Sequence, residues 1–585
     1  MATLAYRVEI EDAHAHLFRV TLTLPAPAER QELSLPVWIA GSYLVREFSR
    51  HLSGLQARQG GRAVPLRQTS KCSWEAHCRG RSPLVLSWRV YAFDTSVRVA
   101  FLDAERGFFN GPCLFLRAHG REHEPHALTL AGLPRGWQVA TSMRSTGRHR
   151  YVADSYEELV DHPVEMGRFW RGEFVAGGVP HELVVTGALP VFDGDRLLAE
   201  TQRICAAQIE FWHGQGSGRA DEAPPFDRYV FLLNTIGDGY GGLEHRASTA
   251  LLASRGDLPV LGQAEAGEGH VRLLGLISHE YFHAWNVKRL KPADFAALDH
   301  GRENYTELLW FFEGFTSYYD DLFVLRSGLI DASRYLKLLG TTISGVLAAP
   351  GRKVQSLAQA SFEAWIKYYR PDENTPNATV SYYAKGALLA LALDLSLRKA
   401  RKPGASLDAL MRSLWRMSRG GPISEADILA AVAALGGKAL AEELHRWVHG
   451  TEDLPLQELL AAAGVAWQAD KAGLAQRLGL RVDEAGGQVR IKQVLQGGAA
   501  HRAGLAAGDE LLACNDWRLR KLDDVLLTLD LRRPQRLRLL VSRDQRIVTL
   551  ELQLPHQSPG LPVRLQPAER PAARALSLRR AWLGG

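Results

Sequence analysis

Cysteine and methionine are scarce, five of each in 585 residues. Cys72, Cys78, Cys113, Cys205 and Cys514 are odd in number and scattered, which excludes a disulfide scaffold and fits a reducing compartment. Cys72 and Cys78 lie close together, but no second pair completes a metal site. No apolar run reaches the ~18 residues of a membrane helix. The opening stretch MATLAYRVEIEDAHAHLFRV has neither a basic nor an apolar leader region. The expectation is a cytoplasmic protein with no membrane partner. Neither sign of charge dominates: 70 basic residues against 64 acidic give a net charge of +6. No basic stripe with interleaved aromatics occurs, which argues against a nucleic-acid partner.

What is present is enough apolar sequence, 46%, for three or four cores in a chain of this length. The chemistry gathers at residues 271–292, VRLLGLISHEYFHAWNVKRLKP, which read as one helix carrying His279, Glu280 and His283. Four residues make about one turn, so the two imidazoles project from one face about 6 Å apart and can close on one ion. Glu280 points toward the same cavity and can reach a water there rather than the metal. Neutral imidazole suits zinc, and the apolar Val271, Leu273, Leu274, Leu276 and Ile277 carry the helix into a core where His and Glu need partners.

A catalytic zinc takes a third protein ligand. The next helical stretch, 307–326 (ELLWFFEGFTSYYDDLFVLR), holds Glu313 among Trp310, Phe311, Phe312 and Phe315. A lone carboxylate there is costly to bury, and zinc coordination explains it. One Zn2+ per chain, on His279, His283 and Glu313, is the expectation.

His-Glu-Tyr-Phe-His followed by Trp285, Asn286, Lys288 and Arg289, then Phe-Glu-Gly-Phe-Thr at 312–316, resembles the glycyl aminopeptidase family, zinc peptidases of the gluzincin group. The interval from His283 to Glu313, 313 − 283 = 30 residues, is longer than in the alanyl aminopeptidases and fits the glycyl family. The resemblance implies removal of an amino-terminal Gly or Ala from a peptide with a free amino terminus, with Glu280 as general base. Within GDGYGGLEH (237–245), Gly241 and Gly242 let a backbone approach a peptide closely. Glu244 stands where related enzymes anchor the substrate α-ammonium. His245 replaces their Asn, and its role is open. Tyr383, in Tyr-Ala-Lys-Gly-Ala, matches the tyrosine that stabilises the oxyanion.

Along the chain, Phe18, Val20, Leu22 and Leu24 alternate with polar residues, as do Leu84, Leu86, Trp88 and Val90, so residues 1–170 read as a β-sandwich. The stretches 37–52 and 161–167 are similar to parts of the family's amino-terminal domain and read as scaffold. Residues 171–395 read as a thermolysin-like α/β catalytic domain and 396–465 as its helical extension. Residues 466–555, with Ala-Gly-Leu at 503–505 and Gly508-Asp509, resemble a PDZ domain. Such a domain could hold a peptide carboxyl terminus on the amides of Leu478, Gly479 and Leu480. Residues 556–585, rich in Pro, Arg and Ala, read as a flexible tail. The fold class is therefore multidomain α+β. Two rival functions are a zinc endopeptidase and a PDZ-led peptide-binding scaffold with a vestigial zinc site.

Overall fold

A computed structural model describes residues 3–214, 223–400, 402–529, 536–555 and 562–584. The chain folds as two compact units. The first comprises Met1–Asn304, Tyr319–Leu329 and Trp415–Ile423, and the second Tyr305–Tyr318, Ile330–Leu414 and Ser424–Gly585.

The first unit opens with an eight-stranded sheet and two four-stranded sheets. Strand Leu17–Leu24 buries Phe18, Val20, Leu22 and Leu24 completely and leaves the residues between them half-buried, the alternation read from the sequence. Residues from all three sheets, among them Leu22, Leu33 and Phe109, share one core.

Five further strands build the sheet that positions the site: β1 (Trp170–Ala176), β2 (Val179–Thr186), β3 (Tyr229–Ile236), β4 (Tyr240–Glu244) and β5 (Ser248–Ser254). Their order is β1-β2-β3-β5-β4. β2, β3 and β5 run parallel, and β4 is an antiparallel edge. β3 is buried at every position but its last, as a parallel strand covered on both faces must be. Helices α1 (Gly194–His213) and α2 (Glu268–Phe282) pack on this scaffold. Gln208 of α1 donates to the Ser278 carbonyl at 2.8 Å. Ser278 in turn donates to the Asp320 carbonyl at 2.9 Å. Asp320 lies on α3 (Gly314–Arg326), a helix whose first turn belongs to the second unit.

The second unit holds α4 (Ala384–Lys399), the hairpin of α5 (Glu425–Gly436) and α6 (Lys438–His449), and a β-domain. The backbones at Gly314 and Gly386 touch, so that a Cβ on Gly314 would stand 2.5 Å from the Gly386 Cα. Any side chain would force them apart. The β-domain closes on Val489, Ile491, Leu511, Leu537, Leu539 and Val541.

The expected flexible tail is corrected for most of its length. Val563–Pro567 pairs antiparallel with Val465–Ala469, and Ala573–Leu583 is a helix. Trp582 is fully buried and donates to the Tyr318 hydroxyl at 2.9 Å. The Pro and Arg content masked the few apolar residues, Val563, Leu565 and Trp582, that anchor the segment. Residues 556–561 of that tail lie outside the described residues.

Candidate active site

α2 does not run to residue 292 as the sequence suggests. It ends at Phe282, with His283 as its C-cap, and the chain then turns through Val287 (φ 110) so that Asn286 bridges to Leu290. The turn puts a backbone carbonyl where the site uses it: His283 Nδ1 donates to the Asn286 carbonyl at 2.8 Å. The helix read over 307–326 is likewise broken, with Glu313 at the junction of Leu309–Phe312 and α3.

His279 Nδ1 meets Asp320 Oδ2 at 3.0 Å. With both Nδ1 atoms donating, the lone pairs of both imidazoles lie on Nε2, and the two Nε2 atoms face one another 3.0 Å apart. Two lone pairs at that distance repel unless a cation lies beside them. The carboxylate and the carbonyl behind the rings are the partners that metal-ligating histidines usually have. This donor set fits a metal ion.

Glu280, 5% exposed, packs against β4, where a Cβ on Gly242 would overlap its carboxylate. Only glycine lets the strand pass so close. Glu244, 4% exposed, ends β4. A residue from the stretch read as scaffold sits on its carboxylate: Gly41 (φ +93), where a Cβ would overlap the Glu244 oxygens. Arg98, also from the amino-terminal domain, donates to the Gly242 carbonyl at 3.1 Å and approaches Gly241. Sequence reasoning missed Gly41, Arg98 and Asp320. Only Gly41 carried a signal, its place in a stretch similar to the family's amino-terminal domain.

His245 is buried and directs Nδ1 at Asp161 Oδ1, 3.5 Å away. Lys288 Nζ reaches the same oxygen at 2.7 Å, and the Arg246 amide donates to Oδ2 at 2.8 Å. Burial alone raises the Asp161 carboxyl, but Lys288 and His245 outweigh it and hold the group well below the usual carboxylate range. His245 is thus part of a buried charge network. Arg289 is structural too, donating to the carbonyls of Ala284 (2.6 Å) and Arg246 (2.9 Å).

In the second unit, Glu313 is 2% exposed and Tyr383 stands at the N-cap of α4. Burial, then the Glu313 carboxylate, then neighbouring tyrosines push the Tyr383 phenol well above its ordinary range, so it remains a proton donor. Its hydroxyl lies 3.4 Å from that of Tyr369, and Tyr368 covers its ring at 5.3 Å. Phe311 is fully buried among Trp310, Phe312 and Phe315, as core.

In the β-domain, Leu478 ends a short helix, Gly479 is left-handed (φ +73), and Leu480 starts the edge strand Leu480–Ala485. The Gly479 amide donates to the Gln476 carbonyl at 3.2 Å, and its carbonyl accepts from Leu495.

Family models match three segments: the peptidase M61 N-terminal domain at residues 5–168, M61 glycyl aminopeptidase at 272–389, and a PDZ domain at 467–542. No curated protein matches the chain. Among solved structures, an aminopeptidase N family protein from Idiomarina loihiensis is 36% identical, with 99% of this chain and 100% of that one covered and a TM-score of 0.93. An M1 zinc metallopeptidase from Deinococcus radiodurans is 18% identical over 78% of this chain and 95% of that one, with a TM-score of 0.47. The chain belongs to the M61 glycyl aminopeptidase family of metallo-aminopeptidases and joins an M61 N-terminal domain and a PDZ domain to its peptidase domain.

Proposed function

We propose that the chain is a zinc aminopeptidase that removes an amino-terminal Gly or Ala from peptides, with one catalytic zinc per chain. The observation that carries this reading is the opposed pair of Nε2 atoms on His279 and His283, each ring held from behind by an acceptor. Glu313 is the third ligand. It is a carboxylate only 2% exposed, in an aromatic stretch where an unpaired charge would be costly. Zinc, when bound, supplies Lewis-acid polarisation and a hydroxide at neutral pH.

The remaining work falls to side chains. Glu280 takes a proton from the attacking water and delivers it to the leaving amine. The closeness of β4, a glycine edge strand, supports binding of an extended peptide beside that carboxylate. Glu244 holds the substrate α-ammonium, and its burial at the end of β4 suits a charge-assisted contact that sets the distance to the scissile bond. Tyr383 donates to the oxyanion, and its raised pKa suits a donor. At the PDZ domain, the strand Leu480–Ala485, which ends its sheet among the described residues, would receive a peptide carboxyl terminus by strand addition.

The test is hydrolysis of Gly-, Ala- and Leu-arylamides before and after chelation and with zinc restored. Chelator-sensitive, zinc-restored cleavage of Gly or Ala substrates, lost when the amine is acetylated, is expected. Equal cleavage of acetylated and free peptides would instead mark an endopeptidase.

A further inference from the structure

Gly437 (φ 92) is the single residue between α5 and α6, and each helix is 12 residues long. α5 begins at Glu425, 437 − 425 = 12, and α6 ends at His449, 449 − 437 = 12. At ~1.5 Å per residue, a hairpin of equal arms brings its first and last residues level. His445 lies one turn before His449, on the same face. The outcome is a cluster at the open end of the hairpin. Glu425 Oε1 is 3.1 Å from His445 Nδ1 and 2.9 Å from His449 Nε2, and Oε2 is 3.2 Å from that Nε2. The two imidazole rings are 4.3 Å apart.

The geometry points to a second metal site at Glu425, His445 and His449, for a divalent ion of the zinc class. Two imidazoles and a carboxylate are a zinc donor set. One ligand atom from each of the three residues lies within 4.8 Å of the others. A tetrahedral zinc with bonds of about 2.0–2.1 Å holds its ligand atoms roughly 3.3 Å apart, so small side-chain rotations convert the hydrogen-bonded cluster into a coordinated one. Each neutral imidazole then carries its proton on the ring nitrogen away from the carboxylate, which leaves a lone pair on the nitrogen that faces the ion. The side chains of His445 and His449 are 56% and 34% exposed, so an ion can enter and water can complete its shell, and Glu425, at 21%, is the least exposed of the three. None of the three belongs to the peptidase site. Their ion acts as a clip joining the start of α5 to the end of α6, and it stabilises the folded hairpin by mass action.

The test counts metal in the full chain after dialysis against buffered micromolar Zn2+. Wild type is expected to hold two equivalents. His449→Ala and Glu425→Gln are expected to hold one each, with Gly-arylamide cleavage unchanged. His445→Ala, which alters only an exposed side chain, repeats the count. Zinc should raise the Tm of wild type more than that of His449→Ala. Equal zinc content in wild type and all three variants would overturn the site. His279→Ala separates the two metals: retention of both equivalents there would count against the catalytic zinc and leave the hairpin site standing.

Discussion

Gly41 rests directly on the carboxylate of Glu244, in a left-handed conformation and with no room for a Cβ. The amino-terminal domain therefore sets where the proposed amine anchor stands.

Gly41→Ala should displace Glu244 and lower kcat/KM for Gly-arylamide by about 10²-fold, the cost of misplacing a positioning group. Zinc content should stay at the wild-type value. An unchanged kcat/KM would mean that Glu244 does not anchor the amine.

Glu280→Gln should lower kcat by about 10²- to 10⁴-fold while zinc remains bound. Near-full activity in zinc-loaded Glu280→Gln would remove the general base from the mechanism.

Asp320→Asn leaves His279 Nδ1 without its carboxylate. Zinc affinity at the catalytic site should fall about 10- to 100-fold, read by competition with a chelator of known affinity. Tyr383→Phe should keep that affinity and lose about 10²- to 10³-fold in kcat. A Tyr383→Phe variant that lost only zinc, or nothing, would contradict the oxyanion role.

His181 is buried between the Val179 carbonyl (2.9 Å) and the Tyr281 hydroxyl (2.8 Å), and burial pushes its imidazole from 6.5 down to about 4. The folded state thus binds this proton more weakly than the unfolded state. The stabilisation is fully present above pH ~6.5 and is lost as the pH falls toward ~4, by roughly 3 kcal/mol at most. Urea unfolding at neutral and acid pH should show a smaller acid loss in His181→Gln than in wild type. His213, also lowered to about 4, adds to the loss in both proteins.

Much of this was legible in the sequence because it is local. One helical turn between His279 and His283 suffices to pair them, and a two-residue alternation reveals strand Leu17–Leu24. Gly41, Arg98 and Asp320 were not legible. Gly41 and Arg98 reach their partners across more than 140 residues of chain, and Asp320 meets His279 through a helix packing that no periodicity encodes. The end of α2 at Phe282 escaped notice for a similar reason. Residues 283–291 contain neither Gly nor Pro, and the turn is stabilised by bonds such as that from His283 Nδ1 to the Asn286 carbonyl.

Asp161 lies in the amino-terminal domain, yet it neutralises Lys288 from the turn after α2 and reaches His245 at the end of β4. A chain starting at residue 171 would lose the carboxylate that stands 2.7 Å from Lys288 Nζ, together with the protein that covers the pair. The amino-terminal domain is therefore not a removable accessory. Grafting the peptidase half onto another scaffold, or losing the first domain by recombination, would discard the counter-charge along with it, so the two are bound to be inherited together.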